Sequence, residues 1–328
     1  MDSGVFHQKK ILITGGAGYL ATNLITQLRE TDCLVVRVDR PGVQRMVLAG
    51  KMTLRDIEAD LRDGAVWESL LDGMDMVFHF AAQTSVYVAR QDPRADLAAN
   101  VLPMLHLLET CRKKSFSPMV LFSGTVTQAG LTDVLPVNED CPDRPVTVYD
   151  LHKGMAENYL KHYTHNGTVK GAVLRLANVY GPGPASGSAD RGVLNSMIRK
   201  AFRGEALTVY GDGGYLRDYV FIEDVSQAFL SAAAHMDHLA GGHFVIGSGR
   251  GHTIRQAADL VAERSAIRTG VRAPVVTVES PPELSIIETR NFVADASRFA
   301  SLTGWKAKWT LTEGLDASVA ALMAREEQ

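Results

Sequence analysis

"KILITGGAGYLATNL", residues 10–24, reads as a buried strand, a glycine-rich turn and the opening of a helix. Gly15 and Gly18, followed by Ala21, are spaced as in a dinucleotide fingerprint. Glycines permit the tight turn and let the backbone approach a pyrophosphate, whose charge then sits at the positive end of the next helix. A glycine-rich turn alone is a weak signal, but this one lies between the chain's first strand and an amphipathic helix, as that task requires. The next apolar run, "CLVVRVD" (33–39), ends in Asp39. A carboxylate there accepts hydrogen bonds from adenosine ribose hydroxyls and repels a 2′-phosphate, so the cofactor reading is NAD rather than NADP, with Arg40 placed to stack on adenine or, as the lesser alternative, to tolerate the extra phosphate.

Outward from that stretch, strands and helices alternate. "MDMVFHFAA" (74–82), "SPMVLFS" (117–123) and "VKGAVLRLAN" (169–178) read as further strands, with helices over 19–30, 93–114 and 149–166. Alternating βα units imply a parallel sheet, and strands apolar along their whole length imply helices on both faces. The expected fold class is α/β: a doubly wound Rossmann-type parallel sheet over 1–180. A smaller, interleaved α/β substrate domain is expected over 181–328, with later segments able to return to the first. Beyond the Gly/Pro-rich "VYGPGPASGSADRG" (179–192) come short strands "ALTVYG" (206–211), "RDYVFI" (217–222) and "HFVIG" (243–247), and helices near 224–238, 253–265 and 312–325.

Composition narrows the function classes. With 46% hydrophobic and 22% charged residues, the 328-residue chain can bury a full core. A net charge of −3 with scattered basic residues carries no electrostatic footprint for nucleic acid. Cys33, Cys111 and Cys141 are too few and too dispersed for a disulfide framework or a zinc site, which suits a reducing cytoplasm. No stretch has the length and apolarity of a signal core or membrane span, so a soluble, cytoplasmic protein without metal is expected. The histidine pairs of "HYTH" (162–165) and "HMDH" (235–238) lack matching ligands, and "NGT" (166–168) reads as a coincidental glycosylation tripeptide.

"FSGTVTQAG" (122–130) poses a question: it resembles the end of a buried strand that releases Ser123, Thr125 and Thr127 into a loop. Such hydroxyls are ordinary turn chemistry unless another element gives them a task. "YDLHK" (149–153) supplies one, because Tyr149 and Lys153 are four apart and share a helix face. A tyrosine with a pKa of about 10 is a poor base near neutrality, and bringing it down by a single pH unit takes about 1.4 kcal/mol. A neighbouring ammonium and a cationic nicotinamide lower it, which makes Tyr149 a candidate acid/base.

Taken in order, "TGGAGYLA" (14–21), Asp39, "ADLRD" (59–63), "HFAAQTSV" (79–86), Asn100, "FSGT", "YDLHK", "RLANVYGPG" (175–183), "GDGGYLRDYVFIEDV" (211–225) and "TGWKAKWTLTEGL" (303–315) resemble the extended short-chain dehydrogenase/reductase family. Within it they are similar to the nucleotide-sugar epimerase/dehydratase branch. The resemblance implies that Thr125 hydrogen-bonds the reacting sugar hydroxyl beside Tyr149 and Lys153. It implies NAD contacts from Gly15, Gly18, Tyr19 and Leu20, from Asp39 and Arg40, and from Asp60 and Leu61. Phe80, Ala81, Ala82, Asn100, Ser123 and Leu176 complete that set with Tyr149 and Lys153. It further implies that a nucleotide-diphosphate sugar is held by Ser85, Val86, Thr125, Asn178, Val193, Leu194 and Arg217, with Arg290 a shifted candidate, and that the helices over 93–114 and 149–166 pair in a homodimer.

The family's sugar dehydratases carry Asp-Glu after the hydroxyl residue, and its glucuronate decarboxylases a Glu. Val126 and Thr127 stand there instead, which favours C4 epimerisation, with ketoreduction or dehydration in the same family as rivals. A catalytically silent NAD- or sugar-binding regulator is the rival of another class; retention of Thr125, Tyr149 and Lys153 together argues against it. Departures from the family pattern are Ala129 for a tyrosine, Asp150 and His152 for small residues, and Pro103, which is expected to kink its helix. His152, one helical turn from Tyr149, is read as a surface or packing histidine ahead of a second acid/base, and the aromatic residues of "TGWKAKW" as core.

Overall fold

The computed structural model describes residues 3–184 and 192–326, so residues 185–191 of the Gly/Pro-rich stretch lie outside the described residues. Its strands are β1 (Lys10–Thr14), β2 (Leu34–Asp39), β3 (Thr53–Glu58), β4 (Met76–His79), β5 (Met119–Thr125) and β6 (Lys170–Leu176). They continue as β7 (Asn178–Tyr180), β8 (Leu207–Tyr210), β9 (Leu216–Phe221), β10 (His243–Ile246), β11 (Gly251–Thr253) and β12 (Val275–Val278). One sheet runs in the order β3-β2-β1-β4-β5-β6-β10, with every neighbouring pair parallel.

Successive side chains of a strand face opposite ways, so a parallel sheet must be covered twice. Ile11 and Ile13 of β1 enter a core with Leu24 and Ile25 of the helix Tyr19–Leu28 and Phe229 of the helix Ile222–Ala234. Leu12 faces the other core, with Trp67, Leu107 and Leu160. A third core joins Leu194, Met197, Val209, Val261 and Leu315 around the smaller sheets β11-β9-β7 and β12-β8.

The expected doubly wound sheet is present. Of the later segments able to return to the first unit, "HFVIG" does so, forming β10 and extending the large sheet beside β6. Apolar along its length, it gains a partner strand and a cover there. The helix Ile222–Ala234 likewise lies on the large sheet, its Phe229 ring 4.8 Å from that of Phe80. β3 was missed because its mostly exposed residues "TLRDIE" carry no buried face; it is an edge strand, anchored where Asp56 accepts from the buried Arg37 of β2. The helix Val193–Phe202 was missed although Leu194, Met197, Ile198 and Ala201 mark one buried face.

The long helix expected over 93–114 is two, Pro93–Asn100 and Leu102–Lys114, divided at Val101. Pro103 sits in the first turn of the second and interrupts the ladder where the kink is expected, while Val101 stays in the helical region, its amide on the Leu97 carbonyl and its carbonyl accepting from the Leu105 amide. β5 continues through Thr125, paired with Leu176 of β6, so Ser123 and Thr125 end a strand and the turn begins only at Val126–Ala129. Among the described residues no helix is long and apolar enough to cross a membrane, and no His/Cys/Asp/Glu group is arranged to hold a metal.

Candidate active site

In the strand order of the large sheet, the direction of winding reverses between β1 and β4, and doubly wound folds bind ligands outside the carboxyl ends of strands at such a point. Thr14 and His79 are register partners there. The Thr14 hydroxyl oxygen accepts from the Phe80 and Ala81 amides, both at 3.1 Å, which leaves its proton for His79 Nδ1 at 2.9 Å. Burial, reinforced by the Lys153 charge, pushes His79 down to about 3, so the imidazole is neutral.

Directly above lies the glycine turn. Gly15 has φ +64°, and a Cβ there would stand 2.9 Å from the Ala81 nitrogen; one at Gly18 would stand 2.9 Å from the Gly15 oxygen. Gly18 opens the helix Tyr19–Leu28 with no side chain bonded to its first amides and no acid in its first turn, as an anion site needs. Asp39 accepts from the Ala17 amide at 3.0 Å and the Arg40 amide at 2.8 Å, which fixes the carboxylate beside the turn. These residues fit a dinucleotide: the cradle is one that side chains would fill, and an acceptor stands where a ribose diol would lie.

Other sequence-chosen cofactor residues are placed as follows. Arg62 donates to Asp60 from its backbone and guanidinium, holding the Asp60 carboxyl down at about 2. Leu61 is buried and its carbonyl accepts from Trp67 Nε1. Phe80, Ala81 and Ala82 follow β4 half-buried, and Leu176 ends β6. Asn100 is buried and donates to the Gln83 carbonyl and to Asp96 Oδ1, both at 3.0 Å.

Tyr149 and Lys153 are buried on one face of the helix Val148–His165, with the Lys153 ammonium 3.9 Å from the Phe122 ring centroid. Asp150 and His152 flank that face at successive helical angles. Neither is a surface residue. His152 Nδ1 is 2.6 Å from Asp96 Oδ2, correcting the surface half of its reading, and Asp150 is fully buried. Thr127 donates to Asp150 Oδ1 at 2.5 Å, Thr147 donates to Asp150 Oδ2 at 2.7 Å, and Thr125 lies 2.8 Å from Thr127. One residue on, Gln128 donates to Glu157 at 2.9 Å, so the turn after β5 is lashed to the helix at two points. Ala129 is core, where a tyrosine would need more room.

On the substrate side, Ser85 caps the short helix Val86–Gln91 by accepting from the Val88 amide at 3.2 Å. Asn178 opens β7, and its Oδ1 is buried without a hydrogen-bond partner among the described residues. Val193 and Leu194 begin the helix Val193–Phe202. Arg217 is buried, and its terminal nitrogens donate to the carbonyls of Leu216, Arg290 and Glu288. Arg290 is also buried and donates to the Ile287 carbonyl, so the two arginines are joined through the Arg290 backbone.

Sequence reasoning gave Thr127 and Asp150 no role in the site and did not single out Asp96 or His79. A signal existed for Asp150: it departs from the family pattern, and the spacing Thr147-x-x-Asp150 marks a helix start.

A glycine cradle at the β1/β4 crossover, with a buried tyrosine and lysine on one helix beside a hydroxyl-bearing strand end, defines a dinucleotide-dependent enzyme of the extended short-chain dehydrogenase/reductase type. The chain belongs to the NAD dependent epimerase/dehydratase family, whose model matches residues 11–247. It is similar to the UDP-glucose 4-epimerase of Mycolicibacterium smegmatis, 28% identical over 94% of this chain and 97% of that one. A UDP-glucose 4-epimerase from Thermotoga maritima, solved with UDP-glucose, superimposes with a TM-score of 0.86 at 30% identity, covering 97% of this chain and 99% of that one. The Thermus thermophilus UDP-glucose 4-epimerase complexed with NAD gives 0.81 at 28% identity, covering 96% and 99%.

Proposed function

We propose that the protein epimerises a nucleoside-diphosphate sugar at C4 through a transient 4-ketone. The observation that carries this reading is the strand end itself: Thr125 lies on β5 beside the Tyr149/Lys153 helix, and the two residues after it, Val126 and Thr127, offer no acid or base of their own. Tyr149 takes the proton from the sugar 4-hydroxyl and returns it to the other epimer. Lys153 holds the nicotinamide ribose and favours the tyrosinate. Thr125 orients the sugar oxygen. NAD bound in the glycine cradle supplies reversible hydride acceptance. The 4-ketone turns within the site and presents its second face, while the nucleotide diphosphate stays held near Asn178, Val193, Leu194, Arg217 and Arg290. Residues 181–328, apart from the segments that join the large sheet, supply most of that binding.

A cytoplasmic homodimer completes the reading. Burial pushes the Cys33 thiol up to about 11 and the Cys111 thiol up to about 12, as suits inert thiols in a reducing compartment. Leu151 is 48% exposed, and Met155 and Tyr159, half-buried at helical spacing after it, extend the stripe suited to a second copy.

The deciding experiment incubates purified protein with a panel of nucleoside-diphosphate sugars in deuterated water without added cofactor. The expected product is the C4 epimer with no solvent deuterium at C4. Solvent label at C3 or C5 would move the assignment to a dehydratase or a 3,5-epimerase-like reaction.

A further inference from the structure

We propose that Asp150, acting through Thr127, is a positioning residue that fixes the Thr125 hydroxyl with its proton on Thr127 and a lone pair toward the sugar; the inference rests on the C4 epimerase reading. A hydroxyl has one proton to give. Thr127 gives its own to the buried Asp150 carboxylate at 2.5 Å, so in the 2.8 Å contact between the two threonines the donor is Thr125. The Thr127 amide adds a bond to Thr125 Oγ1 at 3.3 Å. The proton of Thr125 is thereby turned toward Thr127, and a lone pair is left to accept from a sugar hydroxyl beside the one that Tyr149 deprotonates, so the 4-hydroxyl proton stays available to the tyrosine. Without the relay, a threonine hydroxyl rotates and presents proton or lone pair alike.

The relay joins three places in the fold: the end of β5, the turn Val126–Ala129, and the position directly after Tyr149. Its simplest rival is helix capping, since Thr147 accepts from the Asp150 amide at 3.2 Å and donates to its carboxylate. A cap requires Thr147 and Asp150 but has no use for Thr127.

The test uses the full-length, NAD-containing enzyme and the nucleotide sugar that the wild type turns over. Thr127→Val, isosteric but unable to relay, and Asp150→Asn are each expected to lower kcat about tenfold or more, with KM within about threefold, because a lost charge-assisted bond acts at the sugar and not at the distant diphosphate. Thr127→Ser is expected to recover most of the loss. The double variant Thr127→Val/Asp150→Asn should be no worse than the poorer single one, as for members of one chain. Thr147→Val should lower the melting temperature more than kcat. If Asp150→Asn does not fold, the Thr127 pair decides alone. A Thr127→Val enzyme within about threefold of wild type, or a Thr127→Ser as poor as Thr127→Val, overturns the relay and leaves the epimerase reading standing. A wild type that epimerises no nucleotide sugar overturns both.

Discussion

The Lys153 ammonium lies over the Phe122 ring at 3.9 Å from its centroid, and the His79 ring stacks on the same phenylalanine at 5.7 Å. The tyrosine and lysine four apart on one helix therefore depend on an aromatic residue near the end of β5 to aim the lysine. A cation over an aromatic face gains about 0.5–2 kcal/mol, more when desolvated.

Phe122→Leu keeps the apolar contact and removes the ring. We expect kcat/KM to fall by roughly 5- to 10-fold, the equivalent of about 1 kcal/mol, with a matching loss in NAD affinity. Titration with NAD and initial rates measure both. Unchanged values in a folded variant would mean that the ring does not aim the ammonium.

The neutral His79 gives stability a definite pH dependence. A histidine in the unfolded chain titrates near 6.5, whereas in the fold it is pushed down to about 3. Between those values the unfolded chain binds the extra proton, so stability present above pH 6.5 drains as pH falls, by about 1.4 kcal/mol per pH unit for this one group. His243, lowered to about 4 by burial and then by Arg175, acts in the same direction. Melting curves from about pH 7.5 to about pH 5.5 should fall steeply in the wild type and less steeply in His79→Asn, which starts lower but keeps an acceptor for Thr14. Parallel curves would show that His79 is not held neutral.

What the sequence made legible was whatever a single segment must do alone. The turn at Gly15 and Gly18 needs residues without Cβ, Asp39 must end its strand, and Tyr149 and Lys153 need one helix face. What it hid were contacts that only packing creates. Thr127 meets Asp150 across 23 positions, His152 meets Asp96 across 56, and Arg217 reaches the Glu288 carbonyl across 71. β3 was invisible because an exposed edge strand has no apolar period to read, whereas the helix Val193–Phe202 carried a clear one that the surrounding glycines and prolines obscured.

Gly15 tests the cradle directly. An alanine at φ +64° with its Cβ 2.9 Å from the Ala81 nitrogen must displace either the turn or the end of β4. Gly15→Ala should cost roughly 1–3 kcal/mol in stability and abolish retention of NAD. Analysis of nucleotide released on denaturation checks the second point: a variant that still carries a full complement of NAD would show that the cradle tolerates a side chain.

The proposed homodimer places the exposed Leu151 at its interface. Placing a charge in a buried apolar contact is strongly unfavourable, so Leu151→Glu should shift the protein from dimer to monomer in light scattering at micromolar concentration. A wild type that is already monomeric, or a variant that stays dimeric, removes this face from the interface.

Arg217 and Tyr149 should fail in opposite ways. Arg217 is 3% exposed and bonded to three backbone carbonyls; the Leu216 carbonyl keeps the Phe292 amide, so Arg217→Ala deprives the buried Arg290 carbonyl and the half-buried Glu288 carbonyl of this donor, at roughly 1–3 kcal/mol for the buried one, besides removing a planar fork suited to phosphate oxygens. It should lower the melting temperature and weaken nucleoside-diphosphate binding at least tenfold while kcat at saturation falls less. Tyr149→Phe removes one oxygen and no packing; turnover should vanish, with nucleotide affinity and melting temperature close to wild type. Calorimetric titration with a nucleoside diphosphate, alongside melting curves and rates, separates the two. If Arg217→Ala loses stability but binds the diphosphate as the wild type does, the arginine is a strut for residues 288–290 and the phosphates are held elsewhere. If Tyr149→Phe turns over at the wild-type rate, no proton passes through that phenol and every form of the proposed chemistry fails.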